Sequence, residues 1–269
     1  MTNMDRRVVY LLVGIVVIVP LVMRLVMPIR VSPPVQQAYD AIESLEPGSV
    51  VLFSSDYEAA TMPELYPMTI AIIRHLFSKD VKVLLMSQYA LGVPIGAMAL
   101  DEVAREYHKV YGKDYAVSGY QPGVQAVIVA IGEEVRDIFP EDFAGTLLDS
   151  LPVMKGIHNY NDTPLMINLV SGSTLDYWVM YAQARYGQRI VGGCTAVMAT
   201  SFYPYLQAGQ IDGLIGGLKG AAEYEKLINK PSVATSGMPA QSFVHLLIIA
   251  LVIIGNIAYF SLKRRKRQS

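Results

Sequence analysis

Residues 49–79 read SVVLFSS, DYEAATMPE, LYPMTIAIIRHLFSK, and the order of those three pieces decides the fold. The first, Ser49 to Ser55, is a short apolar run entered through the turn pair Pro47-Gly48, as a strand buried on both faces is. The second is polar. In the third, apolar residues recur at helical spacing and end in basic side chains, which the negative end of a helix favours. Strand, loop and helix follow one another, and the order recurs downstream.

VKVLLMS (81–87) is a second strand, and ALDEVAREYHKVYGK (99–113) an amphipathic helix with acids in its first turn and bases in its last. DYAVSGY (114–120) is a third strand, and GVQAVIVAIGEEVRDIF (123–139) is helical. PLMINLVSG (164–172) is a fourth strand. Ser173 or Thr174 then caps the helix TLDYWVMYAQARYG, and QRIVGGC (188–194) is a fifth strand. Short apolar strands alternating with helices imply right-handed crossovers and a mostly parallel sheet covered on both faces. The expected fold is therefore α/β, a Rossmann-like three-layer domain of about five strands over residues 49–230.

The ends have a different character. With 52% hydrophobic residues and a mean hydropathy of +0.34, the chain is too apolar for an ordinary soluble protein. The excess sits in Val8 to Ile29, interrupted by Arg24, and in Phe243 to Phe260. Each is near the ~20 residues that the ~30 Å hydrocarbon layer requires, so two transmembrane helices are expected to flank the domain. No small-x-small cleavage site follows the first segment, which favours an uncleaved anchor over a secretory signal. The expected organisation is an N-terminal anchor (1–30), a linker and entry (31–48), the α/β domain (49–230), a linker (231–241), a C-terminal span (242–262) and a basic tail (263–269).

Lys263, Arg264, Arg265, Lys266 and Arg267 directly follow the second span and place the C-terminus in the cytoplasm under the positive-inside tendency. With two spans the N-terminus is cytoplasmic too, and the middle lies outside, in a bacterial inner membrane. Residues 31–241 hold 13 Lys and Arg against 22 Asp and Glu, whereas the ends hold nine against one. An acidic middle gives no support to nucleic-acid binding. The basic tail suits anionic lipid, so the bilayer itself is an expected partner.

Candidate chemistry is sparse. In an open parallel sheet, ligands sit at the carboxyl ends of the strands, and the loop SSDYEAATMPE after the first strand supplies Asp56, Glu58 and Thr61 there. Ser171 and Thr174 after the fourth strand complete the ligand-binding candidates. The acid spacing departs from the Asp-x-Ser-x-Ser metal motif of von Willebrand A domains, because Glu58 and Ala60 stand at the serine places. No metal and no cofactor are expected: GLIGGLKG (213–220) matches neither phosphate-loop pattern. Cys194, the single cysteine, excludes an intramolecular disulfide, and with His158 it forms a candidate nucleophile–base pair. Gly213, Gly216, Gly217 and Gly220 are read as small-residue stripes on one helix, which packs either within the same domain or as an interface for a second copy or an envelope partner. The leading expectation is a non-catalytic module for assembly or ligand binding; the alternative is a membrane-tethered hydrolase using the strand-end loops.

Overall fold

The computed structural model describes residues 5–23 and 27–268, with side chains described through Phe260. It divides into two units, Ile29–Ala234 and the terminal segments on either side of it.

The unit Ile29–Ala234 is a three-layer α/β domain. Its six strands are β1 (Val50–Asp56), β2 (Lys82–Ser87), β3 (Tyr115–Tyr120), β4 (Met166–Val170), β5 (Ile190–Cys194) and β6 (Gly213–Gly216). They pair in the order β3-β2-β1-β4-β5-β6, all parallel. Chain direction across the sheet reverses between β1 and β4, which makes their carboxyl ends the topological switch point. The connecting helices are α3 (Met62–Ser78), α4 (Gly92–Tyr107), α5 (Val124–Ile131) with α6 (Val135–Ile138), α7 (Thr174–Trp178) continuing through a π turn (Val179–Gln183) into α8 (Ala184–Tyr186), and α9 (Ala199–Gln207). A further helix, α10 (Gly217–Leu227), follows β6.

One core lies between the sheet and α5, α7 and α9, where Leu52, Leu84, Met86, Met166, Ile190 and Leu214 meet Ile128, Trp178 and Phe202. The other face is covered by α3, α4, α10 and an entry helix α2 (Pro33–Glu43). Close approach on that face depends on glycine: a Cβ on Gly92 would collide with the Ser55 carbonyl and the Ser87 hydroxyl, and one on Gly96 with Ser55 Oγ.

Several sequence expectations are corrected. The sheet has six strands rather than five, because GLIG, too glycine-rich to read as a strand, pairs with Val191–Cys194. Gly213 and Gly216 thus lie in β6, and Gly217 and Gly220 in α10, so the four share no helical stripe. They serve close packing inside the domain: a Cβ on Gly213 would overlap the Ala38 backbone of α2, and one on Gly220 would press on Ile215. The expected linker 31–48 contains α2, because Pro33 and Pro34 occupy the first turn, where proline starts a helix instead of breaking one. Residues 123–139 form two helices divided at Gly132, which packs against the Tyr186 ring.

In the terminal segments, α1 covers Arg6–Val22 and α11 covers Val233–Gln268. The expected linker 231–241 is therefore mostly the first turns of α11. Of the two spans anticipated, one helix among the described residues is long and apolar enough to cross a membrane, Val233–Phe260. The 17 residues of α1 reach about 26 Å at 1.5 Å per residue, short of the hydrocarbon layer. Residues 24–26 of the first expected span lie outside the described residues.

Candidate functional site

The carboxyl edge of the sheet carries most of the chemistry that the sequence nominates, and Asp56 organises it. Asp56 ends β1 and is completely buried. Its Oδ1 accepts from Ser54 Oγ at 2.6 Å and from the Gln88 backbone N–H at 2.7 Å. Its Oδ2 accepts from Asn168 Nδ2 at 2.6 Å and from Thr174 Oγ1 at 2.7 Å. A carboxylate has about four lone-pair positions, and these four donors fill them, with Ser87 Oγ, bonded mainly to the Ser55 carbonyl, a longer fifth contact to Oδ1 at 3.4 Å. The carboxyl thus ties the exits of β1 and β2 to β4 and the start of α7. Burial pushes its pKa up against the pull of those four hydrogen bonds.

A saturated, enclosed carboxylate has no free lone pair for a metal ion or a ligand. Among the described residues, no group of three His, Cys, Asp or Glu side chains is placed to hold a metal. The proposed ligand set is accordingly split. Asp56 and Thr174 meet at 2.7 Å, and the Ser171 N–H donates to the Asp56 carbonyl at 3.1 Å. Glu58 is exposed, and Thr61 Oγ1 donates only to the Glu58 carbonyl at 3.2 Å.

The nucleophile and base candidates are not brought together. Cys194 ends β5 at the carboxyl edge, fully buried, and burial together with the nearby Glu64 charge pushes its thiol up to about 12. His158 belongs to the opposite edge: its carbonyl accepts from the Val135 N–H, where α6 begins after α5 has run back along the sheet. The segment it belongs to is fixed near the start of β3 by a Val153 N–H to Gly112 carbonyl bond. Its exposed ring has Nδ1 2.9 Å from Glu134 Oε2, in a cluster with the partly buried Glu134 and Arg136.

What sequence reasoning missed surrounds Asp56. Gln88 is 4% exposed, and both polar atoms of its side-chain amide lack a protein partner; the same holds for Asn168 Oδ1, Ser118 Oγ and Thr195 Oγ1. Buried polar atoms are nearly always partnered by protein, water or ligand, and these unpartnered ones lie within or just after β2, β3, β4 and β5, with Trp178 Nε1 a further one in the core. Tyr89 reaches across from the β2 exit, and a Cβ on Gly172 would strike its hydroxyl. On the far side, Glu64 at the start of α3 accepts from the Ala196 N–H at 2.9 Å. The helices α3, α4, α5, α9 and α10 all begin at this edge with no side-chain cap. Only the loop after each strand signalled these residues; their partners depend on strand register.

No protein-family model matches the chain, and a comparison with curated proteins found no match.

Proposed function

We propose that this chain is a bacterial inner-membrane protein that presents its α/β domain outside the cytoplasm, with both termini inside, as a non-catalytic module for ligand binding or assembly. The observation that carries the reading is the apolar stretch Val233–Phe260 with Lys263–Arg267 two residues beyond it, which supports a cytoplasmic tail under the positive-inside tendency. An acidic domain between basic ends supports the same topology. The two-pass form requires the apolar segment 8–29 to serve as the second anchor. The binding face would be the carboxyl edge of the sheet, at the β1–β4 switch point where open parallel sheets take ligands. Assembly with a second copy or an envelope protein would use exposed surface, since the glycines once considered for it are spent on internal packing.

A non-catalytic role is supported by what the best reactive groups are doing. The thiol is buried and protonated at neutral pH, the best-placed carboxylate is saturated, and the candidate base is at the other end of the sheet. Truncation after Ala234 tests the two-pass form. A truncated chain that stays with membranes through carbonate washing is the predicted result; release into the soluble fraction would leave α11 as the sole anchor and reject both-ends anchoring.

A further inference from the structure

Away from the carboxyl edge, three helices meet around one buried histidine. His75, in the last turn of α3, has a side chain 4% exposed. Its Nε2 lies 2.8 Å from Glu43 Oε2 at the end of α2, and its Nδ1 lies 2.7 Å from the Tyr224 hydroxyl of α10. The Tyr39 ring of α2 stacks on the imidazole, with centroids 4.6 Å apart and planes 16° from parallel. These contacts hold the C-terminal half of α2. Its other end is held by Glu223, which accepts from Ser32 N–H and Oγ at 2.9 and 2.5 Å. Just upstream, Lys226 Nζ donates to the Ile29 carbonyl at 2.6 Å. Through α2 the chain enters the α/β unit.

We propose that the Tyr39–Glu43–His75–Tyr224 cluster is an acid-sensitive latch on α2, closed while the imidazole is neutral and loosened when it takes a second proton. The neutral ring fits its partners in one tautomer. Nε2–H donates to the Glu43 carboxylate, and Nδ1 accepts from the Tyr224 hydroxyl, which burial keeps protonated. An imidazolium must donate from both nitrogens. The Tyr224 hydroxyl then has to turn and accept, so its own hydrogen loses the His75 acceptor inside a fully buried site.

The surrounding charges divide. From α2, the Glu43 carboxylate favours the proton, but its side chain is half exposed, so solvent weakens the pair; Asp40 bonds instead to Gln36. From α3, the Lys79 ammonium, 3.3 Å from Glu43 Oε1, opposes it. From α10, Glu223 and Glu225 are turned to Ser32 and to the Ser232 and Ala234 N–H groups. Burial outweighs Glu43 and holds the His75 pKa below its ordinary value.

The test is spin-label mobility on the full chain in lipid nanodiscs, with Cys194→Ala and a single label at Gln37→Cys on the exposed face of α2, read from pH 7.5 to 4.5. A label at Lys155→Cys serves as the control. The proposal predicts a one-proton rise in mobility at position 37, centred below about 6.5, the value for a free imidazole, and no change at 155. His75→Gln should abolish the transition. Glu43→Gln, which keeps the histidine, should move the midpoint to lower pH by removing the group that favours the proton. No rise at 37, an equal rise at 155, or an unchanged transition in His75→Gln would each overturn the latch. An unmoved midpoint in Glu43→Gln would do the same if His75→Gln fails to fold.

Discussion

Asp56 is read above as a fastener rather than a ligand, and replacement by alanine against replacement by asparagine separates the two roles. Asp56→Ala strips partners from Ser54 Oγ, Gln88 N–H, Asn168 Nδ2 and Thr174 Oγ1. The two hydroxyls can rotate toward backbone carbonyls. The Gln88 N–H and the Asn168 amide cannot, and each orphaned buried donor costs about 1–3 kcal/mol, so the loss is about 2–6 kcal/mol. For a domain with about 5–15 kcal/mol in total, that is a large fraction. Asp56→Asn is gentler for a specific reason. Asn168 Oδ1 is unpartnered, so a flip of the Asn168 amide supplies an acceptor for the new Nδ2. The cost should then fall to about 1–2 kcal/mol, the difference between charged and neutral hydrogen bonds. The chain carries one tryptophan, Trp178, fully buried in the core beside α5, so its emission reports unfolding. At a urea slope of about 2 kcal/mol/M, Asp56→Ala should lower the midpoint by about 1–3 M and Asp56→Asn by under about 1 M. An Asp56→Ala midpoint within about 0.3 M of the parent, or an asparagine variant weaker than the alanine one, would refute the fastener.

Other expectations follow from the same packing. Gly213→Ala should lower stability by about 1–3 kcal/mol, because the added methyl pushes α2 off β6. Size-exclusion mass should stay unchanged, since that glycine packs internally; a change in mass at constant stability would restore the interface reading. Cys194 should resist iodoacetamide in the native protein at pH 8 and react on unfolding, and rapid native labelling would contradict its burial. Because the His75 pKa is depressed on folding, its contribution is complete above about 6.5 and is lost as pH falls through its lower folded value. Urea midpoints should therefore decline between pH 7 and pH 5 in the parent more than in His75→Gln, and parallel declines would remove the histidine from the account.

The alternation of apolar runs with amphipathic stretches made five strands and their crossovers legible, because strands buried on both faces carry the pattern within a few consecutive residues. β6 was illegible for a physical reason. GLIG has half its positions without side chains, and its pairing is decided by the neighbouring Val191–Cys194 and by the room that Gly213 leaves for α2. α2 is hard to see in sequence because Pro33-Pro34 resembles a break, although proline at the first helical positions is a start signal. At the site, Asp56 was visible as an acid leaving a strand. Its saturation was not, since Asn168 is 112 positions away in sequence and reaches it only through the β1–β4 register. The same limit hid Gln88 and the pairing of His75 with Tyr224, 149 positions apart. The orientation drawn from basic residues beside apolar runs rests on local composition alone and stands as a proposal, because no tertiary contact bears on it.

Where the α/β unit lies relative to the bilayer is open to direct chemical labelling. A Cys194→Ala, Lys155→Cys chain, whose single thiol lies on the exposed surface of the α/β unit, is treated in intact cells freed of any outer membrane with a membrane-impermeant maleimide. With the α/β unit outside the cytoplasm, labelling before lysis should equal that after lysis. Labelling only after lysis would put the domain in the cytoplasm and contradict the orientation read from Lys263–Arg267.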